Sequence, residues 1–278
     1  MRVTVLLDNS TTIDRYLLAE PGLSLFIEDA GTKVLFDAGY SNAFIANAHT
    51  MSVDLLELGA VVLSHGHMDH TWGLVALIRF WATAALEGRS VRTPKLVAHP
   101  LALSSRRYRD VVEIGSLLSE DELSRHFQLE FSRSPLQLTE QLVFLGEIPR
   151  RNGFEAQSPM GKVRLDSGEE DDYVLDDSAL VYRSPEGLVV ITGCSHAGIC
   201  NIVEYAREIC GEERILDIVG GLHLLDPSES QLAGTVEYLR SVGPRRVHAC
   251  HCTDLQSKIA LARAVKLEDV GVGLTLDY

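Results

Sequence analysis

The stretch LSHGHMDHTWG, residues 63–73, carries three histidines and an aspartate within six positions. The apolar run AVVL at residues 60–63 overlaps its start and predicts a buried strand. Imidazole and carboxylate groups packed this closely compete for solvation, and burying them without partners is costly. A bound cation would remove that conflict, so the stretch predicts a metal site where the strand ends.

The spacing of the four side chains supports this interpretation. Alternate residues of an extended backbone face the same way, so His65, His67 and Asp69 can converge. His70 can join them as the chain turns into the next helix. Imidazole and carboxylate ligands together suit zinc, iron or manganese. The alternative is a polar loop with incidental histidines, but the pattern His-x-His-x-Asp-His after a buried strand favours metal.

The bulk composition is that of a folded protein without a membrane span. The chain has 278 residues, of which 46% are hydrophobic, and this excludes a disordered protein. No apolar run reaches the roughly 18 residues that a membrane-spanning helix needs. Residues 1–7 (MRVTVLL) turn polar too soon for a signal peptide and predict a first strand. We therefore expect a cytoplasmic protein with no membrane partner.

The net charge of the chain limits the kinds of molecule that it is expected to bind. The chain has 25 Lys and Arg against 39 Asp and Glu, a formal charge of −14 at pH 7. A surface this acidic repels phosphate backbones, so nucleic acid is not expected as a partner, whereas metal cations and a small-molecule substrate are compatible. The composition leaves the oligomeric state unknown. Five cysteines, an odd number, argue against a disulfide framework and indicate reduced thiols.

The order of predicted elements indicates an α/β protein. Apolar or β-branched runs predict strands at 3–7, 23–28, 33–37, 60–64, 95–98, 142–145, 179–183, 188–192, 215–219, 246–249 and 273–276. Helices are predicted at 41–49, 72–86, 119–127, 198–209, 228–241 and 254–265. Tight turns join the first strands, which favours antiparallel hairpins, and the later strands alternate with helices. We expect two sheets between helical layers in a single domain, 1–278.

Two polar segments have alternative interpretations. Residues 150–172 are rich in Gly, Pro and charge and predict a solvated loop; the alternative is a mobile lid beside a site. Arg106, Arg107 and Arg109 form the only tight basic cluster and predict a solvated helix face; the alternative is a site for a substrate phosphate.

The motif at residues 65–70 resembles the hallmark of the metallo-β-lactamase-fold superfamily. Three more stretches are similar to superfamily landmarks and follow in the same order: FDAG at 36–39, VVITGC at 189–194 and VHACH at 247–251. The resemblance implies a four-layer αββα sandwich. It also implies that Asp37 supports the metal-binding loop.

Five further stretches resemble one branch, which includes 7,8-dihydropterin-6-methyl-4-(β-D-ribofuranosyl)aminobenzene 5′-phosphate synthase. They lie at 22–25, 146–150, 192–198, 220–224 and 250–253. The resemblance implies a metal-dependent hydrolase that uses a metal-activated water or hydroxide on a phosphoester or related small ester. A pterin-type transferase and an iron-dependent oxidoreductase of the same fold are the alternatives, and a ligand sensor without catalysis is a third.

The chain departs from the superfamily at two ligand positions. Cys194 stands where a bridging aspartate is usual, and the usual middle histidine is replaced by the carboxylates of Asp176 and Asp177. With His196 as a further ligand, the resemblance implies a first metal site that contains His65, His67 and His196. It implies a second site that contains Asp69, His70 and His251. Cys194 either bridges the metals, binds one of them as a thiolate, or only fills space. We expect one or two zinc ions, with iron or manganese as alternatives.

Three other positions complete the predicted site. His223 follows Gly220 and Gly221, which let the backbone come close to a ligand, so we expect it to contact substrate. Asp69 is predicted to act in catalysis as well as in metal binding, together with His223. Glu147 and Arg150 are candidates for substrate contact at the mouth of the site. Cys250 and Cys252 flank His251 and are predicted to be structural.

Overall fold

Sixteen strands and seven helices make up the fold, in a computed structural model that describes all 278 residues. The strands are β1 (Arg2–Leu7), β2 (Ser24–Asp29), β3 (Thr32–Phe36), β4 (Ala60–Val62), β5 (Lys95–Ala98), β6 (Arg106–Arg107), β7 (Gln128–Phe131), β8 (Leu136–Gln137), β9 (Leu142–Phe144), β10 (Lys162–Leu165), β11 (Gly168–Asp171), β12 (Ala179–Ser184), β13 (Gly187–Thr192), β14 (Ile215–Gly221), β15 (Arg246–Cys250) and β16 (Thr275–Asp277). The helices are α1 (Ala43–Thr50), α2 (Met68–Thr71), α3 (Gly73–Leu86), α4 (Glu120–Leu123), α5 (Ile199–Cys210), α6 (Glu229–Val242) and α7 (Leu255–Leu261). Every strand and helix predicted from the sequence is present, with ends shifted by a few residues.

Two large sheets carry the fold. One has seven strands in the order β16-β1-β2-β3-β4-β5-β7, and the other has six in the order β15-β14-β13-β12-β9-β8. The pairs β1–β2 and β2–β3 are antiparallel, as predicted. A tight turn joins β2 to β3, but the prediction of a tight turn between β1 and β2 is wrong, because residues 8–23 separate these strands. In the second sheet β13, β14 and β15 run parallel, joined by the crossover helices α5 and α6.

The strands bury both of their faces, which produces three hydrophobic cores. Alternate residues point to opposite sides of a strand, so Val34 and Phe36 face the other sheet while Leu35 faces the helices. Residues of both sheets fill the middle core. The outer cores lie under α1 and α3 on one side and under α5 and α6 on the other. The four-layer αββα sandwich predicted from the sequence is confirmed.

A third, small sheet covers one end of the sandwich. It pairs β6 with the hairpin of β10 and β11, in the order β11-β10-β6. The segment 150–172 therefore contains regular strands, which its polar composition does not indicate. The prediction of a solvated helix face for the basic cluster is wrong, because Arg106 and Arg107 form a strand and Arg106 is 2% exposed.

A glycine and a serine cap two of the helices. Gly243 closes α6 in the left-handed conformation, and Ser119 begins α4 with a capping box to Glu122. None of the helices combines the length and the apolar character that crossing a membrane requires. All five cysteines are free.

Candidate metal centre

Four loops meet at one edge of the two large sheets, and each begins where a strand ends. They follow β4, β13, β14 and β15, whose carboxyl ends open on the same side. The loops after β4 and β13 pack closely, since a Cβ on Gly193 would lie 2.0 Å from the side-chain oxygen of Ser64. This edge collects every histidine that the sequence assigns to the metal site.

The backbone at this edge is strained. Asp37, Ser195, His223 and His251 all have positive φ, between 52° and 64°, although none of them is glycine. Such conformations cost free energy and persist where the surrounding structure fixes them, which is common at functional sites. Here each strained residue lies at or just beyond a strand end.

The first cluster of potential ligands contains His65, Cys194 and His196. One ligand atom from each lies within 4.8 Å of the others, and all three side chains are buried. His67 stands beside this cluster, with its Nδ1 3.1 Å from His65 Nε2 and its ring centroid 4.8 Å from that of His196.

The second cluster contains His70, Cys194 and His251, so Cys194 belongs to both. The thiol sulfur lies 3.4 Å from His70 Nε2 and 3.0 Å from His251 Nε2, and the two imidazole nitrogens are 3.2 Å apart. An Asp69 carboxylate oxygen lies 3.7 Å from His70 Nε2 and 3.4 Å from His251 Nε2. The structure thus brings together all seven side chains assigned to metal binding.

Hydrogen bonds turn two of these imidazoles toward the cluster. Asp37 Oδ2 accepts from His70 Nδ1 at 2.7 Å, and the same carboxylate accepts from the backbone N and the hydroxyl of Ser64. Asn9 Oδ1 lies 3.1 Å from His251 Nδ1 and accepts a hydrogen bond from it. Because each Nδ1 is held by an oxygen on the outer side, each Nε2 is directed at the cluster. Asp37 therefore occupies the supporting position predicted for it.

The protonation states also suit a cation. Burial lowers the pKa of His65 and His196 well below the usual histidine value, and lowers that of His67 to about 4. These imidazoles are neutral at pH 7, which is the form that binds metal. Burial lowers the pKa of His70 too, but the carboxylates of Asp69 and Asp37 outweigh it and raise the value to about 9, so a metal bound at Nε2 would displace a proton that His70 otherwise carries at pH 7.

Unpartnered buried atoms provide the test of whether a metal fits. His67 Nε2 and both ring nitrogens of His196 are buried without a hydrogen-bond partner, which is rare for polar atoms. Burial also raises the pKa of the Cys194 thiol well above its usual value, so a thiolate at this position requires a bound cation. Nitrogen and sulfur donors within 4.8 Å of one another, with the Asp69 carboxylate beside them, match the ligand types of zinc. The residues present fit a metal centre.

Two carboxylates bond the backbone that carries the ligands of the first cluster. Asp176 Oδ2 accepts from the backbone N of Gly66, between His65 and His67, at 2.8 Å. Its other oxygen lies 2.6 Å from the buried guanidinium of Arg106. Asp177 accepts from the backbone N of Ala197 at 2.8 Å, and burial raises the pKa of Asp177 to about 7. These two residues, at the position of the usual middle histidine, hold the ligand loops.

The remaining predicted residues lie around the cluster. The His223 ring centroid is 4.3 Å from that of His196. Glu147 accepts from His99 Nε2 at 3.0 Å and pairs with Arg133, while Arg150 donates to the backbone O of Val174 at 2.8 Å. Neither Glu147 nor Arg150 belongs to the two ligand clusters.

Sequence reasoning missed several residues at this edge. Asp8 and Asn9, more than 240 positions before His251, bind its backbone N and its ring. Cys252 donates to the backbone O of Cys194 and accepts from the backbone N of His223, so it adjoins the site instead of only filling the core. A polar pair directly after the first strand was the one signal available for Asp8 and Asn9.

Comparisons with known proteins agree with this architecture. The family model of the metallo-beta-lactamase superfamily matches residues 18–141. The 7,8-dihydropterin-6-methyl-4-(beta-D-ribofuranosyl)-aminobenzene-5'-phosphate synthase of Methanocaldococcus jannaschii is 27% identical over 253 residues, which cover 86% of this chain and 83% of that protein. Tm1679, described as a metal-dependent hydrolase of the beta-lactamase superfamily, superposes with a TM-score of 0.84 at 30% identity, covering 100% of this chain and 99% of that one. The metallo-beta-lactamase fold protein YhfI of Bacillus subtilis, at 12% identity and a TM-score of 0.61, covers 99% of this chain and 98% of its own and shares the fold.

Proposed function

Because the chain belongs to the metallo-beta-lactamase superfamily, we propose that it is a metal-dependent hydrolase of a phosphoester or related small ester. The observation that carries the proposal is the pair of ligand clusters that share Cys194. Two clusters with one common ligand suit a centre of two ions, for which zinc is the best match to the nitrogen and sulfur donors.

The ligand assignment follows the two clusters. His65, His67 and His196 would hold one ion, and Asp69, His70 and His251 would hold the other, with Cys194 as a thiolate between them. Such ions supply a nucleophile at neutral pH and polarise an oxygen of the substrate. Asp37 and Asn9 fix the orientation of His70 and His251, so the ligand atoms are already in place before a substrate arrives.

Two residues of the chain would carry the proton transfers. The Asp69 side chain is 26% exposed, so its carboxylate can accept a hydrogen bond from an attacking water and orient it. His223 lies beside His196, with ring centroids 4.3 Å apart, and would donate a proton to the leaving group or stabilise its developing negative charge.

An anionic group of the substrate has one candidate partner near the site. Arg150 uses one guanidinium nitrogen to reach Val174, and its partly buried position lowers its pKa while Asp177, Asp176 and Asp172 oppose that change. Arg150 would bind the substrate with its remaining N–H groups. Glu147 would act at the same mouth, although its carboxylate is already engaged by His99 and Arg133.

A synthase is the second candidate function. The observation that favours it is the 27% identity to the Methanocaldococcus jannaschii enzyme, which extends over most of both chains. A synthase of that type joins two substrates, whereas a hydrolase needs only one substrate and water.

A screen of the zinc-loaded chain tests the proposal. We expect turnover of at least one phosphomonoester, phosphodiester or carboxylic ester, and loss of both zinc and turnover in His67→Ala and Asp69→Ala. A zinc-loaded protein that hydrolyses no compound of these classes would contradict the hydrolase. Turnover that appears only when two substrates are supplied together would favour the synthase.

A further inference from the structure

A cleft opens beside the metal centre, and two histidines form its inner wall. It has a volume of about 340 Å³, which is in the range of small-molecule sites, and His196 and His223 line it. Residues 153–154, 156–158, 160 and 173–174 line one side, and the first turn of α6 lines the other. We call it the side cleft.

Apart from the two histidines of its inner wall, the side cleft is lined by uncharged side chains. No Lys, Arg, Asp or Glu lines it, although 23% of the chain is charged. Arg150 is not a lining residue, and Glu229 in the first turn of α6 is also absent from the lining. A charged group placed away from this inner wall would lose hydration without gaining an opposite charge, which is unfavourable.

Apolar and hydrogen-bonding side chains share the walls. Phe154, Met160 and Tyr173 offer apolar surface, while Gln157, Ser158 and Ser230 offer hydrogen-bond donors and acceptors. The Phe154 ring packs against the backbone of α6, since a Cβ on Gly234 would lie 2.7 Å from its ring carbons. The cleft thus suits a group with an apolar face and a polar edge.

Buried hydrogen bonds hold the wall in place without a ligand. Glu155 accepts from the backbone N of Cys200 and of Asn201, at 3.0 and 3.1 Å. Asn201 Oδ1 accepts from the backbone N of Arg151 and of Asn152. The segment that carries Phe154 is therefore anchored on both sides to the start of α5, so the side cleft is pre-formed.

We propose that the side cleft binds an uncharged, ring-containing part of the substrate, while the anionic ester group faces the metal centre. This inference rests on the proposed function, because it divides one ester substrate between the two places. It names the substrate class as an ester whose leaving group or acyl group carries a neutral ring with hydrogen-bonding substituents.

Direct binding to the zinc-loaded chain tests the inference without requiring turnover. The probes are methylphosphonate, phenylphosphonate and 4-carboxyphenylphosphonate, with Kd measured by calorimetry. We expect phenylphosphonate to bind at least about tenfold more tightly than methylphosphonate, because the ring buries apolar area in the side cleft. The added carboxylate should remove most of that gain. Phe154→Ala should remove it for the unsubstituted ring.

A charge introduced into the wall provides the reverse test. Ser230→Arg should make 4-carboxyphenylphosphonate the preferred ligand, whereas Ser241→Arg near the other end of α6 should leave the order unchanged. Equal Kd values for the methyl and phenyl probes, absence of phenylphosphonate binding, or an unchanged order in Ser230→Arg would overturn the inference. Absence of ester turnover with the binding order intact would instead overturn only the hydrolase proposal.

Discussion

His196 and His223 adjoin each other, yet we assign them different tasks. His196 has two buried nitrogens without partners and shares a cluster with His65 and Cys194. His223 lines the side cleft and lies outside both clusters. We predict that His196→Ala loses metal and turnover together, and that His223→Ala keeps its metal but loses kcat or substrate affinity. Metal analysis with steady-state kinetics measures both. The opposite pattern would make His223 the ligand.

Asn9 acts on the metal centre through His251. Its amide oxygen accepts a hydrogen bond from His251 Nδ1, and this keeps Nε2 directed at the cluster. Removing such a partner costs roughly 10- to 100-fold in metal affinity, so we expect that loss in Asn9→Ala. Chelator competition measures the affinity.

The matched control for Asn9 is Asn47. This buried side chain bonds the backbone of Leu6 and Leu18 and touches no proposed ligand. Asn47→Ala should lower the free energy of unfolding and leave zinc affinity unchanged. Wild-type zinc affinity in Asn9→Ala would contradict the orienting role.

At the scale of elements, a buried arginine with two carboxylate partners fixes the loop between β4 and α2. Arg106 bonds Asp172 and Asp176, and Asp176 in turn bonds the backbone between His65 and His67. Lysine keeps the charge but lacks the two-pronged geometry. We predict that Arg106→Lys lowers zinc affinity by roughly 10- to 100-fold, as measured by chelator competition.

A second, half-buried ion pair offers the control for Arg106. Arg246 bonds Asp217 at 2.6 Å in the lower half of β14 and β15, away from the strand ends that carry the ligands. Arg246→Lys should lower the stability of the metal-free chain in urea without changing zinc affinity. If both variants lose stability alike and neither changes zinc affinity, Arg106 has no role in positioning the metal loop.

The sequence predicts long elements better than short ones for a physical reason. Strands such as β13 and β14 are buried on both faces, so their apolar runs are unmistakable. By contrast β11 is exposed throughout and is held by pairing with β10, including cross-strand charges that no apolar pattern reveals. Arg106 could not be predicted as buried, because its partners Asp172 and Asp176 lie 66 and 70 positions away.

The candidate site likewise has residues that the sequence predicts and residues that it does not. Ligands grouped in one motif, such as His65, His67 and His70, follow from local spacing. Their supports do not, because they come from distant strand ends that only the fold brings together. Asn9 beside His251 and Asp176 beside Gly66 are the clearest cases.

At the scale of the whole molecule, the centre joins both large sheets. His70 follows a strand of one sheet and His251 follows a strand of the other, and their Nε2 atoms are 3.2 Å apart. We therefore propose that residues 1–278 behave as one domain and unfold in a single transition. Free zinc at 100 times its Kd should stabilise the fold by about 2.7 kcal/mol, and removing it should lower Tm by roughly 5 °C or more. Calorimetry with and without a chelator measures this; two separate transitions, or an unchanged Tm, would contradict it.

The zinc content of the wild-type chain and of Cys194→Ala tests the central claim most directly. Cys194 is the one side chain that belongs to both ligand clusters. We predict two zinc ions per wild-type chain after reconstitution and equilibrium dialysis, and no more than one in Cys194→Ala, with Cys200→Ala as a buried-cysteine control that keeps both. A wild-type chain that binds no zinc, or a Cys194→Ala chain that still holds two ions with wild-type affinity, would contradict the shared-thiolate centre.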